Sequence, residues 1–312
     1  MQSSAFDRRA VPADAELGRW TAADGWSYRT LERRQPAGAK VRGSLLFAGG
    51  RGDFIEKYLE VHDHWHRSGW NVAAFDWRGQ GGSQGDQPGG YLDSFETVVA
   101  DLAALIESWR ARTPGPHVAI GHSMGGHVLL RTLADRHPPI DAAVLVAPML
   151  MINSAPLPPF AAEWLASAAS LVGWGRQPAW QQSSRPQPAG SMRQIYLTGC
   201  AERYSDELWW WERQPGFNLG PPTWAWLKAA YASCAALTPA KLAGVETPVL
   251  LIGTERDRLV SPAAIRLAAS RLPRAELLMF EDSAHEILRE RDEIRLEALA
   301  RIDSFLALHA RG

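Results

Sequence analysis

The sequence predicts an α/β protein with a mostly parallel central sheet, helices on both faces and a helical insert. Three observations carry this. Short apolar runs at 44–48, 71–75, 118–120, 142–147, 248–252 and 276–280 alternate with segments of helical apolar spacing, the pattern of a parallel sheet covered on both sides. The hexapeptide Gly121-His122-Ser123-Met124-Gly125-Gly126 falls between one such run and one such helix. Between 149 and 237 the alternation stops, no clean strand is read, and eight of the fourteen tryptophans gather there. The expected organisation is therefore a core over 1–148, a Trp-rich helical cap or lid over 149–237, and the rest of the core over 238–312.

With 312 residues, 46% of them hydrophobic, the chain can bury a large core. A formal net charge of -1 offers no basic surface for nucleic acid. Met1 to Arg9 lacks the apolar stretch of a secretory signal. The longest nearly apolar run, 142–152, is shorter than the ~18 residues of a membrane span. A cytoplasmic protein with no transmembrane segment is expected. Cys200 and Cys234 are expected as free thiols.

Taken in order, residues 1–15 read as a poorly ordered lead-in. Residues 18–34 read as a hairpin turning at Asp24-Gly25, followed by a turn at Gln35 to Lys40 and a buried strand at 44–48. Gly49-Gly50-Arg51-Gly52 then leads into a helix expected over Phe54 to Arg67. Glycines between a strand and a helix let backbone amides face a ligand, so this loop is a candidate for half of an oxyanion hole. His62, His64 and His66 lie on that helix; without a fixed third ligand, a solvated helix face is expected rather than a metal site. Asp76 and Arg78, in the loop after strand 71–75, are expected to tie that loop together.

A long helix over 94–112 follows from Phe95, Val98, Val99, Leu102, Leu105, Ile106 and Trp109, with Asp93 and Glu96 resembling a capping box. Pro114-Gly115-Pro116 stops it before strand 118–120. In 149–237, Pro178 to Pro188 is expected to break the helices and Pro221-Pro222 to restart one. Its tryptophans are expected mainly in a core, with part of the set lining an apolar pocket. Strand 248–252, a helix over 262–272, strand 276–280 and a closing helix over 287–309 complete the chain.

Ser123 sits where a strand turns sharply into a helix, with glycines two residues away on either side. Such a turn pushes the hydroxyl outward and points the helix-start amides toward developing negative charge. A serine hydroxyl needs a base, and the base needs an acid to hold its tautomer. Asp257 follows strand 248–252 and His285 follows strand 276–280, so both stand at strand ends, where parallel sheets carry their sites. Glu255 and Asp282 are the rival acids, Asp282 being disfavoured by its closeness to His285.

On these residues the chain resembles the serine α/β-hydrolases of the lysophospholipase and monoacylglycerol-lipase group. The resemblance spans roughly 18–309 and rests on Gly121 to Gly126, Asp76-Trp77-Arg78-Gly79-Gln80-Gly81-Gly82-Ser83, Asp257-Arg258-Leu259 and His285-Glu286-Ile287-Leu288. It implies the α/β-hydrolase fold, a catalytic triad of Ser123, Asp257 and His285, and an oxyanion hole made by the backbone amides of Arg51 and Met124. The departure is Gly49-Gly50 where the family usually has His-Gly. The implied activity is hydrolysis of a small-molecule ester or lipid, a lysophospholipid or monoacylglycerol, through an acyl-enzyme, with no cofactor and no metal. An acyltransferase on the same triad, and a non-catalytic ligand-binding relative, are the alternatives. Substrate-binding residues and oligomeric state are not legible.

Overall fold

The computed structural model describes residues 6–85, 88–181 and 187–310. Eight strands form one sheet in the order β1-β2-β4-β3-β5-β6-β7-β8. They are β1 (Glu16–Thr21), β2 (Ser27–Arg33), β3 (Gly43–Ala48), β4 (Trp70–Phe75), β5 (His117–His122), β6 (Ala142–Val146), β7 (Val249–Thr254) and β8 (Ala275–Phe280). The β1–β2 hairpin is antiparallel and joins β4 antiparallel. From β4 to β8 every pairing is parallel.

Strands β3 to β7 are buried along their whole length, and their side chains divide between two cores with a period of two. Leu46, Ala119, Ala143 and Leu251 face one core, with Phe95, Leu102 and Leu129. Leu45, Phe47, Val118, Ile120, Val144 and Ile252 face the other, with Leu59, Trp65, Ile302 and Phe305. Both faces are thus covered by helices. Each fully buried large apolar side chain contributes about 1.5–3 kcal/mol.

The helices around the sheet are α1 (Leu59–Arg67), α2 (Phe95–Arg110) and α3 (Met124–Arg136) in the first half. Between β6 and β7 lie α4 (Pro159–Ala169), α5 (Met192–Leu197), α6 (Ala201–Arg213), α7 (Trp224–Ala235) and α8 (Pro239–Ala243). The last two are α9 (Pro262–Ala269) and α10 (Asp292–His309). Among the described residues, no helix is long and apolar enough to cross a membrane.

Several local expectations need correction. The helix expected over 54–67 opens with a 3-10 turn, Ile55–Tyr58, before α1 begins. The α2 cap is Ser94, whose side chain accepts from the Glu96 N–H; Asp93 does not cap, and the Glu96 carboxylate pairs with Arg131 instead. The closing helix is preceded by a separate turn, Ile287–Arg289, and the helix over 262–272 ends at Ala269. His62 is no part of a solvated face: it is fully buried against Phe47, and burial lowers its pKa to about 3. His64 pairs with Asp303 and His66 with the Arg34 carbonyl. Among the described residues, no three histidines, cysteines or carboxylates cluster as metal ligands. Both cysteines are free.

The lead-in is held as far as it is described. Arg8 and Arg9 both pair with Asp206 of α6, at 2.5 and 2.6 Å, and the Trp210 indole N–H donates to the Arg8 carbonyl at 3.2 Å. The tryptophans of 149–237 are not mainly core. Trp164, Trp174 and Trp180 are 78%, 60% and 54% exposed, and only Trp211 and Trp226 are buried. Apolar composition sets how much surface a helix would hide, not whether a partner surface is present. Of the break expected over 178–188, residues 182–186 lie outside the described ones, and the restart expected at Pro221-Pro222 comes at Trp224.

Candidate active site

The turn at Ser123 follows from its neighbours. A Cβ on Gly125 would stand 2.2 Å from the Ala48 carbonyl oxygen, and one on Gly121 would stand 2.7 Å from Gly125. Only glycine lets α3 start this close to β3 and β5. Ser123 itself adopts φ 51 and ψ −115, a costly conformation for a residue with a Cβ. The surroundings hold it there: its N–H donates to Val146 O at 2.9 Å, and its carbonyl accepts from Met149 and His127, both at 3.0 Å.

The structure brings the three residues of the expected triad together. Ser123 Oγ lies 2.9 Å from His285 Nε2, and His285 Nδ1 lies 2.7 Å from Asp257 Oδ2. Asp257 Oδ1 accepts from the Leu259 and Val260 amides at 2.8 and 2.9 Å. An ionised carboxylate only accepts, so Nδ1 carries the imidazole proton and Nε2 faces the serine with its lone pair. Asp257 and His285 are buried. Burial disfavours the imidazolium, but the charge and hydrogen bond of Asp257 outweigh it and raise the His285 pKa above its ordinary 6.5. Burial pushes Asp257 upward, yet His285 and the two amides hold it below the usual carboxylate value.

The rival acids are elsewhere. Glu255 pairs with Arg266, and Asp282 pairs with Arg256 at 2.5 Å, both in exposed positions. The His285 loop is fixed from the region between β6 and β7: the His285 N–H donates to Tyr196 O and the Glu286 N–H to Leu197 O, at 3.2 and 2.7 Å. Thr254 Oγ1 donates to Ser283 O at 2.8 Å, joining the loops that carry acid and base.

The loop carrying Arg51 is braced without the histidine that position 49 lacks. Gly50 N–H donates to Asp53 Oδ2 at 2.5 Å, Gly52 N–H donates to Gln80 Oε1 at 2.7 Å, and the Trp77 indole N–H donates to Gly49 O at 2.6 Å. The Arg51 amide therefore sits between two amides that are fixed. A Cβ on Gly49 would stand 2.9 Å from the Asp53 Cβ, so Asp53 fills the space a larger residue there would need. Met124, at the start of α3, is fully buried, and its sulfur lies 3.9 Å from the Gln80 side chain.

Sequence reasoning missed the charged cluster behind this loop. Asp53 also meets His122 Nδ1 at 2.9 Å and Lys57 Nζ at 2.7 Å. Lys57 Nζ continues to Glu286 at 2.6 Å and Glu207 of α6 at 3.6 Å. Glu207 also pairs with Arg193 at 2.7 Å and Arg289 at 3.4 Å, and Arg289 with Glu286. The Lys57 ammonium keeps Asp53 well below the usual carboxylate range despite burial. The spacings of Asp53 to Lys57 and Glu286 to Arg289 were visible in the sequence as local pairs; the link to Glu207 was not.

Asp76 and Arg78 do tie the loop after β4, but mostly to other elements. Asp76 accepts from Arg29 Nε and Gly82 N–H, both at 2.7 Å, and from Ile55 N–H at 2.8 Å. Arg78 bridges Asp101 of α2 and Asp24 of the hairpin, each at 2.7 Å.

A family model described as serine aminopeptidase, S33 (Hydrolase_4) matches residues 39–292. A probable lysophospholipase L2 from Haemophilus influenzae is 28% identical over 286 residues, 90% of this chain and 88% of the relative. Lysophospholipase L2 of Escherichia coli is 29% identical over 288 residues, 85% of this chain and 80% of the relative. Among solved structures, a soluble variant of monoglyceride lipase from Saccharomyces cerevisiae aligns with a TM-score of 0.76 at 16% identity, over 98% of this chain and 100% of that one. A carboxyl esterase from Bacillus coagulans aligns with a TM-score of 0.73 at 17% identity, over 96% and 99%. These structural likenesses show a shared α/β-hydrolase fold.

Proposed function

The chain belongs to the serine aminopeptidase S33 family, and from that premise we propose a serine carboxylic ester hydrolase that acts on lysophospholipid or monoacylglycerol substrates. The family description names a peptidase, but the two curated relatives that span 85 and 90% of this chain are named lysophospholipase L2 and probable lysophospholipase L2. The observation that carries the reading is the continuous chain of contacts from Ser123 through His285 to Asp257, at 2.9 and 2.7 Å.

In the proposed cycle His285 Nε2 takes the Ser123 proton as Oγ attacks the ester carbonyl. The Arg51 and Met124 N–H groups receive the oxyanion, in a position fixed before the charge appears. His285 returns the proton to the leaving alcohol, and the acyl chain stays on Ser123 Oγ as an ester. Water, activated by the same imidazole, then releases the fatty acid and restores the serine. We read the helices of 149–237 as the cap over this site, with its apolar residues meeting the acyl chain.

The test is fatty-acid release from a long-chain lysophospholipid, a long-chain monoacylglycerol and a short-chain ester, with the native chain and Ser123→Ala. Cleavage of the long-chain substrates by the native chain alone is expected. Cleavage of only the short ester would overturn the lipid assignment. Activity retained in Ser123→Ala would overturn the nucleophile.

A further inference from the structure

Arg51 has a second feature besides its backbone amide. Its side chain runs from the loop beside Ser123 to the turn at Gly89 and to Gly220, just before α7. Nη2 donates to Gly89 O at 2.9 Å and Gly220 O at 3.0 Å, and the guanidinium lies over the Trp226 ring at 5.3 Å. Nε is buried without a hydrogen-bond partner. Several other buried or half-buried arginines of this chain face carboxylates: Arg29 has Glu56 and Asp76, Arg78 has Asp101, Arg203 has Glu60, and Arg289 has Glu286. Among the described residues Arg51 faces none, and desolvation alone acts on its pKa, downward.

A desolvated cation whose only partners are two neutral carbonyls and an aromatic face is costly. The same cation is a strong recognition element for an anion, because charge-assisted bonds to phosphate exceed neutral ones and the carbonyls already fix the guanidinium. Its place in the chain says which anion. In a lysophospholipid, only the glycerol unit separates the acyl ester from the phosphodiester. The residue whose backbone N–H receives the ester oxygen is thus placed to offer its side chain to the phosphate.

We propose that Arg51 selects the substrate head group, its guanidinium binding the phosphodiester of a lysophospholipid and favouring it over an uncharged monoacylglycerol. This rests on the hydrolase reading above and deepens it. Nη1, which like Nε has no hydrogen bond among the described residues, is the donor edge offered to the phosphate oxygens.

The experiment compares the native chain, Arg51→Met and Arg51→Lys on two esters with the same oleoyl chain, lysophosphatidylglycerol and monooleoylglycerol. The readout is the ratio of their kcat/KM values, which cancels any loss common to both. Arg51→Met is expected to lower the preference for the phospholipid by roughly tenfold to a hundredfold, and Arg51→Lys to restore part of it. Parallel loss on both substrates would overturn the proposal and leave Arg51 as a loop anchor.

A second arm does not need turnover. Binding of non-hydrolysable ether analogues of the two lipids is measured on Ser123→Ala, with and without Arg51→Met. Selective weakening of the phosphodiester ether supports the proposal even if no ester is cleaved, in which case only the hydrolase reading fails. Equal binding with and without Arg51→Met overturns it even if hydrolysis is robust. Displacement of the ether lipid by inorganic phosphate at matched concentration would make this a free-phosphate site and overturn the head-group assignment.

Discussion

Asp53→Asn is the most informative perturbation of the proposed oxyanion loop, because it changes charge and acceptor count while leaving the shape of the side chain. Three groups converge on the carboxylate: the Gly50 amide at 2.5 Å, His122 Nδ1 at 2.9 Å and Lys57 Nζ at 2.7 Å. The first two meet Oδ2 and the third meets Oδ1. Asparagine has one acceptor oxygen, so its amide nitrogen must face a donor on one side or the other. The Lys57 ammonium, 2.7 Å away, attracts the amide oxygen and repels the amide N–H groups, so the nitrogen turns toward Gly50 and His122. The loss therefore falls on the Gly50 and His122 side. A buried donor left unpaired costs about 1–3 kcal/mol. If about 2 kcal/mol of it appears as misplacement of the Arg51 amide in the transition state, kcat falls roughly 30-fold. The donor acts on a charge that the ground state lacks, so KM for a long-chain monoacylglycerol should stay within about twofold. Steady-state kinetics and a thermal melt on the same protein decide it. A lowered Tm with kcat within about threefold of the native value would refute the reasoning, placing Asp53 in the fold and not in the loop's chemistry.

Other outcomes follow from the same geometry. Only neutral His285 can act as the base, so kcat/KM should fall as pH drops through its raised pKa, with the acid limb lying above pH 6.5. Asp257→Asn removes the largest of the interactions that raise that pKa and leaves the desolvation that lowers it, so the limb should move to lower pH while kcat drops by roughly 10⁴-fold; an unmoved limb in a pH profile would exclude Asp257 as the partner. Gly125→Ala places a methyl group 2.2 Å from the Ala48 carbonyl, and differential scanning fluorimetry should show a sharp fall in Tm or no folded protein; a native melting curve would mean that α3 can move away from β3.

The parts of this molecule that were legible are those in which local sequence and final contact coincide. The apolar runs that became β3 to β7 are buried on both sides, so their composition already reports their surroundings. The turn at Ser123 was legible because Gly121 closes against Gly125 and Gly126 within the motif itself, whereas the need for glycine at 125 comes from the carbonyls of Ala48 and Gly49. What failed depended on distant partners. Asp93 and Ser94 are adjacent acceptors, and only the backbone direction at the helix start selects Ser94. His62 looks like its neighbours His64 and His66, but α1 turns it toward Phe47 and the sheet. The cluster around Lys57 draws its charges from positions 53, 207 and 286, a separation that no motif encodes. The exposed Trp164, Trp174 and Trp180 have the same residue type as buried Trp211 and Trp226, and only the packing of the helices distinguishes them.

The separation of 162 positions between Ser123 and His285 bears on when the two can meet during synthesis. During synthesis the N-terminal part of the chain leaves the ribosome first. Once β6 and Met149 have emerged, every segment that holds the turn around Ser123 has been synthesised. The β7 and β8 loops that carry Asp257 and His285 emerge only after all of α4 to α8. Until then Ser123 lacks its contact with His285. On the proposed triad, Ser123 therefore waits for its partners until the far edge of the sheet has been made.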